Sequence, residues 1–205
     1  MIFRVTSNGV PSIFYRSTTL KARTRSISQR LTKGIAFTRN PESDPRLFAI
    51  DTTSNCLVSI DPSATPSFCG AGIRSSFIDD DLVITSDSAF GENAYLTDQG
   101  GGRILRLAMT PSDPTKKHQR ISASNFARVL APMSISLGGG AFGDFLYVGT
   151  ADGNVYRINP KGETELFLNE LTDPADADLR GIEIKNDQMW LATDTGTLLR
   201  VIPIP

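Results

Sequence analysis

Apolar and polar residues alternate along most of this chain in short runs, and each run stops at a turn rich in Gly, Asn or Asp. The clearest case is Leu146-Tyr147-Val148-Gly149-Thr150, then Ala151-Asp152-Gly153-Asn154, then Val155-Tyr156-Arg157-Ile158-Asn159-Pro160. An aromatic and β-branched run, a tight turn and a second alternating run predict a β-hairpin. Tyr147/Val148 with Tyr156/Ile158 gives the period of two expected of a strand with two different faces. The same pattern returns, without a gap, at Met189-Trp190-Leu191-Ala192-Thr193-Asp194-Thr195-Gly196-Thr197-Leu198-Leu199-Arg200-Val201-Ile202-Pro203, an offset of 43. A third copy runs from Ala89-Phe90-Gly91 through Asn93-Ala94-Tyr95-Leu96-Thr97-Asp98 and Gly100-Gly101-Gly102 into Arg103-Ile104-Leu105-Arg106-Leu107. A fourth joins Leu47-Phe48-Ala49-Ile50-Asp51 to Cys56-Leu57-Val58-Ser59-Ile60. No stretch carries a helical period.

Each hairpin is flanked by further strand-like runs. Gly34-Ile35-Ala36-Phe37, Leu82-Val83-Ile84, Met133-Ser134-Ile135-Ser136-Leu137 and Gly181-Ile182-Glu183-Ile184 precede the four copies, and Glu163 to Leu168 follows one of them. Named A, B, C and D in order, these make four-stranded antiparallel units. Repeats near this period stack as propeller blades or solenoid turns, and four short strands per unit around a centre is the propeller arrangement. The predicted fold is all-β, a β-propeller with about four to five blades present. It forms one domain over 1–205: a partial blade of strands C and D at 1–15, blades at 33–70, 81–131 and 132–168, and a partial blade of strands A to C at 180–205. The partial first blade follows from Ile2-Phe3-Arg4-Val5-Thr6-Ser7-Asn8-Gly9, which aligns with Val155-Tyr156-Arg157-Ile158-Asn159-Pro160-Lys161-Gly162. A ring missing strands upstream of Met1 is one expectation. A compact four- or five-bladed ring closed by Ile2 to Tyr15 is the other.

Composition adds bounds. The hydrophobic share of 40% argues against disorder. No apolar run reaches the length of a membrane helix, and no secretory h-region with a cleavage site opens the chain. Net charge is −1 but unevenly spread: Arg4, Arg16, Lys21, Arg23, Arg25, Arg30, Lys33 and Arg39 all precede the first acid, Glu42. Lys21 to Arg30 reads as a long loop between strands D and A. Lys21, Arg23, Arg25 and Arg30 there are candidates for binding an anion. Without interleaved aromatics a nucleic-acid partner is not favoured, and a solvated loop is the plainer reading. If Cys56–Ile60 and Thr65–Cys69 pair around Asp61-Pro62-Ser63-Ala64, Cys56 faces Cys69, close enough for a disulfide. That would favour an extracytoplasmic or secreted protein. Two buried thiols are the alternative.

Candidate chemistry is sparse. Asp51, Asp98 and Asp194 end strand B, and Asp152 lies close by; together they would ring the face formed by B–C turns and D–A loops. Such carboxylates could hold Ca²⁺, or simply cap turns by accepting backbone N–H groups. Asp79, Asp80, Asp81 and Asp87, and separately Asp173, Asp176 and Asp178, break the repeat and form two acidic clusters in D–A connections. Their hard oxygen atoms would suit Ca²⁺ or Mg²⁺, with solvated loops as the alternative. Arg4, Arg106, Arg157 and Arg200 recur at one position of strand C, which predicts blade-surface or inter-blade contacts. His118, the single histidine, sits among Lys and Arg in an inserted C–D loop. That is a poor place for a catalytic base.

Gly34-Ile35-Ala36-Phe37, Leu146-Tyr147-Val148-Gly149 and Asn154 to Gly162 resemble hairpins of the broad NHL, SMP-30/gluconolactonase and streptogramin-lyase group of six- and seven-bladed propellers. The resemblance implies a scaffold. The group's lactonases use a Glu/Asn/Asp divalent-metal site; Asn93 and Asp98 lie in a compatible strand, but the ordered set is not present. Its lyases use a histidine base, and His118 stands in a different loop. The leading expectation is therefore a binding scaffold for a protein or small-molecule ligand. A divalent-metal-dependent, lactonase-like hydrolase and an anion-binding module are the alternatives.

Overall fold

The computed structural model describes residues 2–15, 19–22, 25–28, 31–37, 47–51, 56–60, 66–69, 81–85, 88–108, 123–169 and 178–203. The first elements are two hairpins. β1 (Ile2–Val5) pairs with β2 (Pro11–Tyr15), and β3 (Thr19–Ala22) pairs with β4 (Arg25–Ser28). The second corrects the expectation of a basic loop. Thr19-Leu20-Lys21-Ala22 and Arg25-Ser26-Ile27-Ser28 alternate polar and apolar residues at period two, and the pairing sets Lys21 opposite Ser26 and Ala22 opposite Arg25. Arg23 and Arg30 lie outside the described residues.

Four larger sheets follow, each an antiparallel meander in chain order. Sheet I is β5 (Leu31–Phe37), β6 (Leu47–Asp51), β7 (Cys56–Ile60) and β8 (Pro66–Cys69). Sheet II is β9 (Leu82–Thr85), β10 (Asn93–Asp98), β11 (Arg103–Ala108) and β12 (Ala123–Arg128). Sheet III is β13 (Pro132–Leu137), β14 (Leu146–Thr150), β15 (Val155–Ile158) and β16 (Thr164–Leu168). Sheet IV is β17 (Leu179–Lys185), β18 (Gln188–Thr193) and β19 (Leu198–Val201). The register of sheet I corrects the cysteine pairing. Ile60 faces Pro66, not Thr65, so Cys69 lies opposite Leu57. The connection is one residue longer than expected, and the direct opposition of Cys56 and Cys69 is lost.

The core is divided among the joints between sheets. Phe48 and Ile50 of sheet I pack with Leu82, Ile84, Ala94, Leu96, Leu105 and Leu107 of sheet II. Tyr95 and Ile104 of sheet II join Ile135, Leu146, Val148 and Ile158 of sheet III. Tyr147 and Val155 of sheet III join Leu179, Ile182, Ile184, Met189 and Leu191 of sheet IV. The period of two explains this division. Alternate residues of one strand face opposite neighbours, so sheets II and III are apolar on both faces. Successive sheets meet closely enough that only glycine fits at one point: a Cβ on Gly149 would lie 2.8 Å from Leu179 Cβ and 2.6 Å from Ser134 Oγ. Ser134 Oγ donates to the Leu179 carbonyl oxygen at 2.8 Å and ties the same two sheets.

Candidate functional site

Four turns share one construction. They begin at Thr6, Thr150, Asn159 and Thr193. In each, the first residue's N–H donates to the carbonyl oxygen four positions on, at 3.0–3.1 Å. Its side-chain oxygen accepts the N–H of that same residue: Val10, Asn154, Glu163 and Thr197 donate at 3.1, 3.1, 3.1 and 3.0 Å. The fourth residue is Gly9, Gly153, Gly162 or Gly196, with φ between 76° and 86°. That left-handed backbone is where glycine is favoured. Thr-x-x-Gly and Asn-x-x-Gly at this spacing are the sequence signal of these turns.

This geometry reassigns the aspartates. Asp51 and Asp98 end their B strands, but Thr150 and Thr193 hold the equivalent positions in sheets III and IV. Asp194 falls one residue beyond its strand, and Asp152 two beyond. Asp98 is 1% exposed. Its carboxylate accepts the Gly101 N–H at 3.0 Å and Arg103 Nε at 2.6 Å, and Arg103 reaches on to Asn125 at 3.0 Å. It closes a turn one residue longer than the others. Asp152 bonds Asn154 at 2.9 Å and takes the Thr150 hydroxyl. Asp194 is exposed. Asp98 and Asp152 are thus engaged within separate turns.

The acidic clusters are placed in part. Asp79, Asp80, Asp87, Asp173 and Asp176 lie outside the described residues. Asp81 joins sheets: its carboxylate accepts the Leu82 N–H at 2.9 Å and the Ile135 N–H of sheet III at 3.1 Å. Asp178 pairs with Arg180 at 2.6 Å. Among the described residues no three His, Cys, Asp or Glu side chains gather as a metal site would need. The recurrent arginines act on strand surfaces. Arg157 bonds Glu165 at 2.8 Å and lies over Phe145 at 4.9 Å, and Arg200 lies over Trp190 at 5.8 Å.

One concave feature with converging walls is axial. The first strands of all four sheets border a cavity of about 330 Å³. Ile35, Val83, Leu137 and Ile184 make it apolar, while Asp81, Ser136 and Glu183 bring polar groups from three sheets. Ser136 and Glu183 were not singled out by the sequence, because both look like ordinary polar positions of an alternating strand. Buried phenols stand just behind these strands. Tyr95 and Tyr147 donate to the Phe90 and Phe142 carbonyl oxygens at 3.2 and 2.7 Å. Burial raises both above the usual tyrosine range, and Arg106 and Arg157 respectively pull them partly back.

By sequence, no family model and no curated protein matches the chain. Solved structures do match in shape. A putative 6-phosphogluconolactonase from Bacteroides uniformis is 16% identical with a TM-score of 0.54, over 97% of this chain and 62% of that one. The PQQ-bound aldose sugar dehydrogenase from Streptomyces coelicolor is 15% identical with a TM-score of 0.52, over 88% and 80%. The computationally designed protein Ika4 is 10% identical with a TM-score of 0.51, over 93% and 98%. The fold is a β-propeller. Sheets I to IV are its blades, the cavity lies on its axis, and the likeness reaches the scaffold and no further. This chain spans less than two thirds of the Bacteroides protein.

Proposed function

We propose that this propeller is a binding scaffold whose ligand, a protein segment or a small molecule, enters the axial cavity. The observation that carries the reading is the cavity itself: apolar walls drawn from four blades, with a few polar groups from different blades converging on it. That is the usual composition of a ligand site. Within it Glu183 is exposed and supplies a carboxylate for a donor or cation on the ligand. The turn aspartates support the reading indirectly, since Asp98 and Asp152 are already engaged within their own turns.

Thermal unfolding in EDTA and then in Ca²⁺ tests it. A ligand that binds the native state alone raises the midpoint. A midpoint indifferent to Ca²⁺ is the expected result. A rise with Ca²⁺ would overturn the plain scaffold in favour of the metal-dependent hydrolase, for which Asp79, Asp80, Asp173 and Asp176 are the first residues to change.

A further inference from the structure

The turn that Asp98 closes is where sheet II departs from the repeat, and the departure collects charge. Asp98 lies three residues after Tyr95, as Thr150 lies three after Tyr147. Opposite Asp98, β11 begins with Arg103. In sheet III Asn154 stands opposite Thr150, and in sheet IV Thr197 stands opposite Thr193. Opposite Arg103 in turn, β12 ends with Arg128. The scaffold therefore closes this turn elsewhere without an arginine. Like charges set directly opposite each other on neighbouring strands weaken a sheet. Asp98 neutralises one of the two arginines, and an anion held between them would relieve the other.

Both arginines line one cavity of about 400 Å³. It shares no residue with the axial cavity. Arg103 is held in place: Nε donates to Asp98 at 2.6 Å and Nη1 to Asn125 Oδ1 at 3.0 Å. About a third of its side chain still meets water (32%). The Arg128 side chain is exposed, but its backbone is fixed from two blades. Its carbonyl oxygen accepts the Thr164 hydroxyl of β16 at 3.4 Å, and the next N–H, of Val129, donates to the Gly102 carbonyl oxygen at 3.2 Å. Glycine lets the blade III wall come close, since a Cβ on Gly162 would overlap the Phe126 carbonyl oxygen. Phe126 and Ala127 add apolar lining.

We propose that this cavity binds a phosphate group, free or esterified to a small molecule. Arg103 uses two of its five N–H groups on Asp98 and Asn125, and the Arg128 fork adds five more. The terminal oxygens of a phosphate accept more of these donors than the two oxygens of a carboxylate, and guanidinium forks match phosphate geometry. The volume exceeds that of the ion and leaves room for an organic remainder against Phe126 and Ala127. The site lies away from the ligand cavity proposed on the axis, so neither result decides the other.

Calorimetric titration of inorganic phosphate into the intact chain, with ionic strength held constant by chloride, tests the proposal. One saturable site is expected, and acetate should bind more weakly. Arg128→Gln should weaken phosphate binding by about tenfold or more, the value of one hydrogen bond to a charged group. Arg128→Lys keeps the charge but not the fork and should recover only part of the affinity. Arg200→Gln removes an exposed arginine of sheet IV and should bind phosphate as the parent does. A second titration separates the two sources: phenyl phosphate binding more tightly than inorganic phosphate assigns the site to an ester, and equal affinity assigns it to the free ion. No saturable binding would overturn the proposal. So would binding indifferent to Arg128→Gln in a chain that still melts cooperatively, or equal losses in Arg128→Gln and Arg200→Gln.

Discussion

Replacing Asp98 by alanine separates a turn-building carboxylate from a ligand-binding one. The side chain is 1% exposed and accepts from Gly101 at 3.0 Å and from Arg103 at 2.6 Å. Breaking a fully buried charge pair costs about 3–5 kcal/mol. Arg103 keeps 32% of its side chain in water and Gly101 is exposed, so solvent recovers part of both lost bonds. A net loss of about 2 kcal/mol follows, nearer the value of one charged hydrogen bond. In a domain of this size that lowers the midpoint of thermal unfolding by about 4–8 °C. Urea unfolding followed through Trp190 measures the same loss as a shift in midpoint at unchanged slope. Asp194→Ala is the control, since Asp194 is exposed beyond its strand and should change stability by no more than about 0.5 kcal/mol. Equal stability of the Asp98→Ala variant and the parent would refute the reasoning and return Asp98 to the ligand face.

Two further outcomes follow from packing and from burial. Gly149→Ala should destabilise by about 1–3 kcal/mol, read by urea unfolding, because its methyl group would press on Leu179 and Ser134 where sheets III and IV meet. Burial holds the Tyr147 and Tyr95 hydroxyls above the usual tyrosine range near 10. The folded state keeps those protons longer than the unfolded one, so this stability is complete below pH 10 and is lost as pH rises through the folded-state values. Tyr147→Phe should make the alkaline loss shallower while costing about 1 kcal/mol at neutral pH for the bond to Phe142. A pH series of urea midpoints measures both.

Much of the scaffold was legible because it is written several times. The run from Leu146 to Pro160 and its copy at Met189 fix the hairpins by alternation alone, and each is held in the structure by the same turn hydrogen bonds. What escaped was single-residue register. Whether Cys69 meets Cys56 or Leu57 depends on one added residue in the connection, and alternation does not count that residue. The basic stretch was read by its charge, yet Thr19 to Ala22 and Arg25 to Ser28 each alternate and form a hairpin. The site was less legible than the scaffold. Aspartates draw the eye as ligands, but Asp98 does in a longer turn what the Thr150 and Thr193 hydroxyls do in shorter ones. Glu183 and Ser136 gain meaning from the axis they border, and an axis is a property of the assembled blades.

The division of the core into joints between neighbouring blades has a consequence for how the molecule comes apart. Blades II and III have apolar contacts on both sides, so neither can open without disturbing two neighbours. Among the described residues, blade IV shares one such joint, with blade III. Stability is then a sum over adjacent pairs, as in an array of coupled units, and the loss of one joint loosens both blades that share it.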